Sequence, residues 1–424
     1  MLKLPRPTRI ILESGARLLY QRNPVSSTVA FGVWITRGSR DEKPSDRGFS
    51  HFLEHMVFRG TKKRSALEIA FDLESVGGQW DAFTSKEVTC YHGKVLEEHF
   101  EKLADIFADI TLFPSVPSSS FSTEKNIIQE EIRSVADSPE ESTCEHFFQN
   151  LFHNDQLGYP VTGSIDDVAG STRRKLLGFH RRTYNAGNAV LGFVGNIPLK
   201  KVVSILNRKF TFPLEKNTDE KMFGQYSGKR SVSVKRADLS QSHLCAGVRV
   251  ASSFERERYS LHVLSNILGG GVSSRIFQSL REESGLAYSV FSSVNFWKDT
   301  GAFSTFFSVD PKNLPRAVDL YKAEIKGLMR DGIKKEELES SVAQLKGSVI
   351  FGTESVNSRL FRLFHNYFYY DKYTSLPVLI KNIEEVGIDD LMQVADKYLG
   401  DKNHTYVTIG PRSLKGLIKG IEGK

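Results

Sequence analysis

The sequence predicts an α+β protein of two homologous domains, each an antiparallel-rich β-sheet packed with helices, related by internal duplication. Three observations carry this. Segments of strand period and helix period alternate along the chain instead of separating into an all-β and an all-α part. Their order in the first half returns in the second. The length, 424 residues, exceeds what one hydrophobic core ordinarily organises and asks for two to three domains.

The first half opens with "RIILESGARLLYQRN" and "TVAFGVWITRG", alternating apolar segments that read as antiparallel strands joined by a Gly-bearing turn. A helix follows at "GFSHFLEHMVFRGT", residues 48–61, and a second near Ala66 to Val76. Next come a strand region around "QWDAFTSKEVTCYHGKV" and helical patterns from His99 to Leu112 and from Ser122 to Val135. "NAVLGFVGNI" reads as a buried closing strand. In the second half "SHLCAGVRVAS" is strand-like, "ERYSLHVLSNILGG" helical, "LAYSVFSSVNFWKDTGAFSTFFSV" a hairpin and "LPRAVDLYKAEIKGLMRDG" a helix. Sliding one half on the other by about 210 residues sets "GFSHFLEHMVF" against "RYSLHVLSNIL", and the second copy has no His-Glu-His. The domains are expected at 1–215 and 230–424, with a linker at 216–229 inside the polar stretch "FPLEKNTDEKMFGQYSGKR".

Composition narrows the function classes. A chain 40% hydrophobic, 11% aromatic and 25% charged is globular, not disordered or fibrous. No stretch approaches the ~20 apolar residues of a membrane span, and "MLKLPRPTRIILESG" lacks an apolar run of signal length. A soluble, unexported protein is expected, in a bacterial cytoplasm ahead of a mitochondrial matrix. Cys90, Cys144 and Cys245 are odd in number and far apart, which indicates neither a disulfide framework nor a cysteine metal cluster and suits a reducing compartment. The net charge of +7 admits an acidic partner, but the runs Lys62-Lys63-Arg64, Arg173-Arg174-Lys175 and Arg181-Arg182 lack interleaved aromatics and read as solvated faces. Neither nucleic acid nor membrane is expected as a partner.

Chemistry concentrates at His51-Phe52-Leu53-Glu54-His55. At ~100° per residue positions 51, 54 and 55 fall at about 0°, 300° and 40°, on one helix face. Phe49, Phe52, Leu53, Met56, Val57 and Phe58 make the helix apolar nearly all round, hence buried. Two imidazoles and a carboxylate buried together need compensation, which a divalent cation supplies. The motif alone leaves a packed or capping role equally open. For a third ligand, the helix from Ser122 offers glutamates. With Phe121 at 0°, Ile128, Ile132 and Val135 define the buried face, Glu124 and Glu131 lie at roughly −60° and −80°, and Glu130 points the opposite way. The wheel selects Glu131 as ligand and Glu124 as a carboxylate orienting a ligand histidine, whereas Glu130 suits a solvated role.

The inverted order His-x-x-Glu-His, with Glu131 following 76 positions after His55, resembles the pitrilysin family of zinc metallopeptidases, which includes insulysin, the mitochondrial processing peptidase and half-size bacterial peptidases. "GFSHFLEHMVFRGT", "GGQWDAFTSKEVTCYHGKV", "EKNIIQEEIRSVADSPE", "YNAGNAVLGFVGNI" and "GGGVSSRIFQSLREESGLAYSV" all resemble family segments, in order and over essentially the whole chain. The resemblance implies one Zn2+ per chain held by His51, His55 and Glu131, Glu54 as general base, and Glu124 as the carboxylate behind a ligand. The donor set takes zinc by default and would also accept manganese or cobalt. It further implies an endopeptidase acting on unfolded or short peptides, presequence-like or degradation fragments, inside a closed chamber.

"WDAFTSKE" resembles the family's substrate-binding edge strand, on which a peptide lies antiparallel, and Asp81, Ala82 and Phe83 are the expected contacts. Asp81 stands where the family often has asparagine, and an ionised carboxylate cannot donate a hydrogen bond. In "LREESGLAYSV", Arg281 and Tyr288 resemble the family's arginine–tyrosine pair, donors for substrate carbonyls and a developing oxyanion, with Gly285 expected to end the helix between them. Full-length relatives enclose the chamber with four such domains. A homodimer of this two-domain chain would restore four, with Arg281 and Tyr288 acting in trans. The rival reading is a non-catalytic assembly or core subunit of the same family, which would be expected to lack a ligand or the base; here all four residues are present. "LGGGVSSR", residues 268–275, lacks phosphate-loop spacing and reads as a tight turn after a helix. His92, His99, His146 and His262 have no partner at ligand spacing, and His153, near "LGYPVTG", is kept as a residue able to approach the site.

Overall fold

Strand and helix periods settle into elements close to those expected. The computed structural model describes residues 5–214, 231–400 and 404–412. The first half supplies β1 (Thr8–Ile11), β2 (Arg17–Arg22), β3 (Thr28–Ile35), α1 (Phe49–Val57), α2 (Ala66–Ser75), β4 (Gln79–Thr84), β5 (Thr89–Leu96), α3 (Phe100–Leu112), α4 (Ser118–Asp137), α5 (Pro139–Leu151), α6 (Ile165–Gly170), α7 (Arg173–Thr183), β6 (Ala189–Gly195) and α8 (Leu199–Lys209). The second half supplies β7 (Val232–Lys235), β8 (Ser242–Val250), α9 (Glu257–Gly269), α10 (Arg275–Phe277) running into a π-helical turn (Gln278–Glu283), β9 (Ala287–Phe296), β10 (Gly301–Val309), α11 (Leu314–Asp331), α12 (Lys335–Phe351), α13 (Val356–Tyr370), α14 (Leu376–Glu384), α15 (Ile388–Leu399) and β11 (Thr405–Gly410). From β8 onward the order repeats that from β3 onward: strand, helices, hairpin, helices, strand. Among the described residues no helix is long and apolar enough to cross a membrane.

Sheet topology shows the duplication directly. One sheet runs β1-β2-β6-β3-β5-β4 and the other β7-β11-β8-β10-β9. The second repeats the last five positions of the first: a parallel pair, β2 with β6 or β7 with β11, followed by antiparallel neighbours. The opening hairpin joins β1 to β2, turning with Gly15 at φ +83°, but β2 and β3 are not neighbours. β6 lies between them, correcting the expectation that the two opening segments pair and that β6 closes the sheet. Every residue of "AVLGFVG" is buried, as befits a central strand whose two faces are covered by separate cores and whose two edges pair with β2 and β3.

The contiguous division at residue 215 is also corrected. One compact unit takes the chain up to Ser134, resumes at Tyr159 and adds Phe351–Ser375; the other takes Val135–Gly158, then the second half, resuming at Leu376. The expected linker, 216–229, lies outside the described residues. The exchanged segments carry α5 and α13, and each covers the face of a sheet that the sheet's other helices leave open. In the first unit, Leu360, Leu363 and Phe364 of α13 pack on Leu19, Ala30, Trp34, Val190 and Val194, with the Phe364 and Trp34 rings stacked at 4.5 Å. In the second, Phe147 and Leu151 of α5 pack on Cys245, Ala302, Phe306 and Val407. Glycine makes room for both helices. A Cβ on Gly192 would come within 2.8 Å of Leu360 Cδ1, and one on Gly247 within 2.8 Å of the Phe147 ring. The opposite face of the first sheet carries the larger core, in which Phe31, Phe52, Phe100, Phe107 and Phe193 are buried. α1 lies in that core.

Candidate metal centre

α1 is held at its start from outside its own sequence. Gly48, at φ +79°, turns the chain into the helix, and the Glu42 carboxylate accepts the main-chain N–H of Gly48 and of Ser50, each at 2.7 Å. It satisfies two of the amides that a helix N-terminus leaves without partners. Burial pushes the Glu42 carboxyl up to about 8, against the lowering effect of those bonds. Phe49, Phe52, Leu53, Met56 and Val57 bury the rest of the helix.

On the face left over, His51 and His55 bring their rings to a centroid distance of 4.6 Å. Glu131 of α4 spans them, with Oε1 3.5 Å from His51 Nε2 and Oε2 3.8 Å from His55 Nε2. One ligand atom from each of the three residues lies within 4.8 Å of the other two. Donors bound at about 2.0–2.2 Å around a tetrahedral cation stand roughly 3.4 Å apart, so these gaps have the size of an ion. Two neutral imidazoles and one carboxylate form a donor set that zinc accepts while a fourth position stays open. The residues fit the metal.

α4 sorts its glutamates as the helical wheel requires. The Glu124 side chain is 1% exposed and faces α1, that of Glu131 is 41% exposed at the rim, and that of Glu130 is 72% exposed and pairs with Arg133 one turn on. Glu124 Oε2 lies 3.1 Å from His55 Nδ1, and its other oxygen is paired with the Arg59 guanidinium. That contact aims the opposite nitrogen of His55, Nε2, at Glu131. Burial lowers the His55 pKa, but the Glu124 bond and the charges of Glu54, Glu131 and Glu124 outweigh it, and the net shift is upward. Glu124 is net lowered: burial raises it, and the His55 bond and the Arg59 charge prevail. Glu131 is lowered chiefly by its contact with His51. Glu54 behaves differently. Its pKa is raised by burial, in spite of a 2.6 Å hydrogen bond donated by Thr84 Oγ1 and the two neighbouring imidazoles. A carboxylate whose affinity for a proton is raised by burial accepts one more readily, which is the character of a base.

Among the described residues β4 is an edge strand, paired with β5 alone, Asp81 opposite His92, Ala82 opposite Tyr91 and Phe83 opposite Cys90. Its side chains alternate. Ala82 packs on the core that holds α1, and Thr84 reaches Glu54. Phe83 lies on the other face against Phe361 of α13. The Asp81 carboxylate accepts the N–H of Ala82 at 2.8 Å. Arg281 and Tyr288 belong to the second unit, as does His153. Gly285, at φ +60°, ends the π-helical turn that carries Arg281, and Tyr288 stands exposed on the edge strand β9. Arg281 Nη1 donates to the Tyr288 carbonyl at 2.7 Å, and the guanidinium lies 4.8 Å from the Tyr288 ring.

Three residues of the first unit's site escaped the sequence reading. Arg59 stands four residues beyond His55, a spacing that puts both on one side of a helical turn and was available as a signal. Thr84 lies within the quoted strand "WDAFTSKE", but nothing local says that its hydroxyl meets Glu54. Glu42 caps from six residues before Gly48, a spacing that no capping motif covers.

The chain resembles known proteins over most of its length. Residues 17–164, which include His51, Glu54, His55, Glu124 and Glu131, match the model of Insulinase (Peptidase family M16), and residues 171–345 match that of the Peptidase M16 inactive domain. An uncharacterized zinc protease of Bacillus subtilis is 33% identical over 415 residues, 95% of this chain and 98% of that protein. One of Mycobacterium leprae is 32% identical over 411 residues, 96% of this chain and 92% of that protein. The crystal structure of a protease from Helicobacter pylori shares the fold with a TM-score of 0.87 at 24% identity, covering 96% of this chain and all of that one (100%). That of a peptidase M16 inactive domain from Pseudomonas fluorescens does so with 0.89 at 18% identity, covering 96% and 98%. The chain belongs to the insulinase family of peptidases, family M16.

Proposed function

We propose that the protein is a zinc-dependent endopeptidase that hydrolyses unfolded or short peptides bound as an added β-strand, with His51, His55 and Glu131 as the ligands of one zinc ion per chain and Glu54 as general base. The observation that carries this is the grouping of the three donors within 4.8 Å of one another, two of them on the helix that carries Glu54, a half-buried glutamate of raised pKa. When bound, zinc supplies an electrophile for the scissile carbonyl and lowers the pKa of a water in its open position to about 7. Glu54 takes the proton that the attacking water releases and returns it to the leaving amine. Glu124, backed by Arg59, keeps His55 in the tautomer whose Nε2 is a free donor.

Peptide pairing along Asp81, Ala82 and Phe83 would read an extended main chain and little of its sequence. Arg281 and Tyr288 are donors suited to substrate carbonyls and to the oxyanion. Since the family resemblance implies a chamber of four such domains, a homodimer is the arrangement in which a partner's pair would complete each site. Co-expression of Glu54→Gln with Arg281→Ala subunits tests this: mixed dimers should regain activity that neither variant has alone, and mixed dimers without activity would refute it.

The direct test is a mixed peptide library read by mass spectrometry. Cleavage abolished by a chelator and restored by zinc is expected. A metal-free protein that cleaves nothing would favour the assembly-subunit reading instead.

A further inference from the structure

Thr84 ends β4, the strand with a free outer edge, and its hydroxyl donates to Glu54 Oε2 at 2.6 Å. Both partners are tied to one piece of backbone. The turn that follows Thr84 closes with Ser85 N–H on the Val88 carbonyl at 2.8 Å, and the carbonyls of Ser85 and Lys86 accept the N–H groups of Ser39 and Arg40 at 3.1 and 2.9 Å. The Arg40 guanidinium meets Glu87 of that turn at 3.0 Å, with both side chains buried. Three residues after Ser39, Glu42 holds the N-terminus of α1 through Gly48 and Ser50. The segment Ser39 to Glu42 therefore fixes the strand that carries the hydroxyl and the helix that carries the carboxylate.

We propose that Thr84 is a positioning residue for Glu54. Its hydroxyl holds Oε2 and so turns Oε1 toward the water whose proton it accepts, and a peptide laid on the β4 edge ends beside the residue that aims the base. The inference rests on the peptidase reading above. The physical ground is that a glutamate side chain has several rotamers of similar energy, of which one suits proton transfer, and a donor on a rigid strand selects it. Removing the donor leaves the carboxylate in place but unaimed.

The test compares Thr84→Ser with Thr84→Ala, which differ by one oxygen, so that any cost of losing the methyl group is common to both. Thr84→Ser is expected to keep kcat within about threefold of the unaltered enzyme, while Thr84→Ala loses about 10- to 100-fold in kcat. KM and zinc content should be the same in both, the second measured by chelator competition independently of turnover. In a Glu54→Gln background the two substitutions should give the same residual rate, since no base remains to be aimed. Equal kcat for the serine and alanine variants, or an alanine loss that persists undiminished in the Glu54→Gln background, would overturn the assignment. Should both variants melt too early to assay, Thr84→Val, which keeps the branched shape without the hydroxyl, replaces alanine against the unaltered enzyme. An unaltered protein that binds no zinc or cleaves no peptide would instead remove the peptidase reading, and this inference with it.

Discussion

The chain builds one arrangement twice and, among the described residues, gathers a candidate metal-ligand cluster in only one of the copies. In the first, α1 presents two imidazoles and Glu54 on one face, and α4 answers with Glu124 and Glu131. In the second, α9 is buried at most of its positions, and an offset of about 210 residues sets the buried Leu261, Leu264 and Ser265 against His51, Glu54 and His55. There α12 answers with Ser341, whose hydroxyl donates to the Val263 carbonyl at 3.2 Å and accepts from Asn266 at 3.1 Å. The second helix pair is closed by neutral bonds that satisfy one another. The first gathers three carboxylates and two imidazoles, a set that a bound cation would balance. The shared architecture therefore says little about activity, and the side chains projecting from one helix pair decide it.

The most drastic way to break the difference is to make α1 resemble α9. A His51→Leu, Glu54→Leu, His55→Ser protein should fold, bind no zinc and cleave nothing. Its melting temperature should be the same with and without chelator, whereas that of the unaltered protein should fall. Glu54→Gln alone should keep the metal and lose about 10²- to 10⁴-fold in kcat.

Next in size is the exchange of helices. Phe364→Ala opens a cavity beneath the stacked Trp34 ring and should cost about 3–5 kcal/mol in denaturant unfolding. Phe147→Ala should do the same on the other sheet, and of the two only Phe364→Ala acts in the unit that holds the proposed metal ligands.

Smaller effects sharpen the ligand assignment. Glu124→Gln should weaken zinc by about 10- to 100-fold, read by chelator competition, because His55 loses its charged partner. Glu131→Gln should lose more, and Glu130→Gln almost nothing, since its side chain faces solvent beside Arg133. A Glu130 variant without metal beside a Glu131 variant with normal metal would reverse the choice.

The smallest effect is one of pH. Burial raises the Glu42 pKa to about 8 in the folded protein, from the 4.5 of an exposed glutamate, so the folded protein binds the extra proton. Its contribution to stability is full below the unfolded value and is lost as pH rises through about 8. Melting temperature should drop across that window, and Glu42→Gln, which has no proton to lose, should flatten the drop.

Helical period alone placed His51, Glu54 and His55 on one face and chose Glu131 over Glu130, because both are questions about a single helix and a 3.6-residue repeat answers them. Strand alternation likewise marked β4 and the β9–β10 hairpin. Periodicity reports which faces are apolar, but not what will cover them. "TVAFGVWI" is buried nearly throughout, so its pattern demanded cover on two faces without naming β6 as a neighbour or α13 as the second cover. The same holds inside the site. Thr84 meets Glu54 across 30 positions, Glu124 meets His55 across 69, Arg59 pairs with Glu124 of a distant helix, and Glu42 caps α1 at a spacing that no short motif covers. Those contacts exist because sheet pairing and core packing bring distant backbone together, and so only the tertiary structure decides which hydroxyl aims which carboxylate.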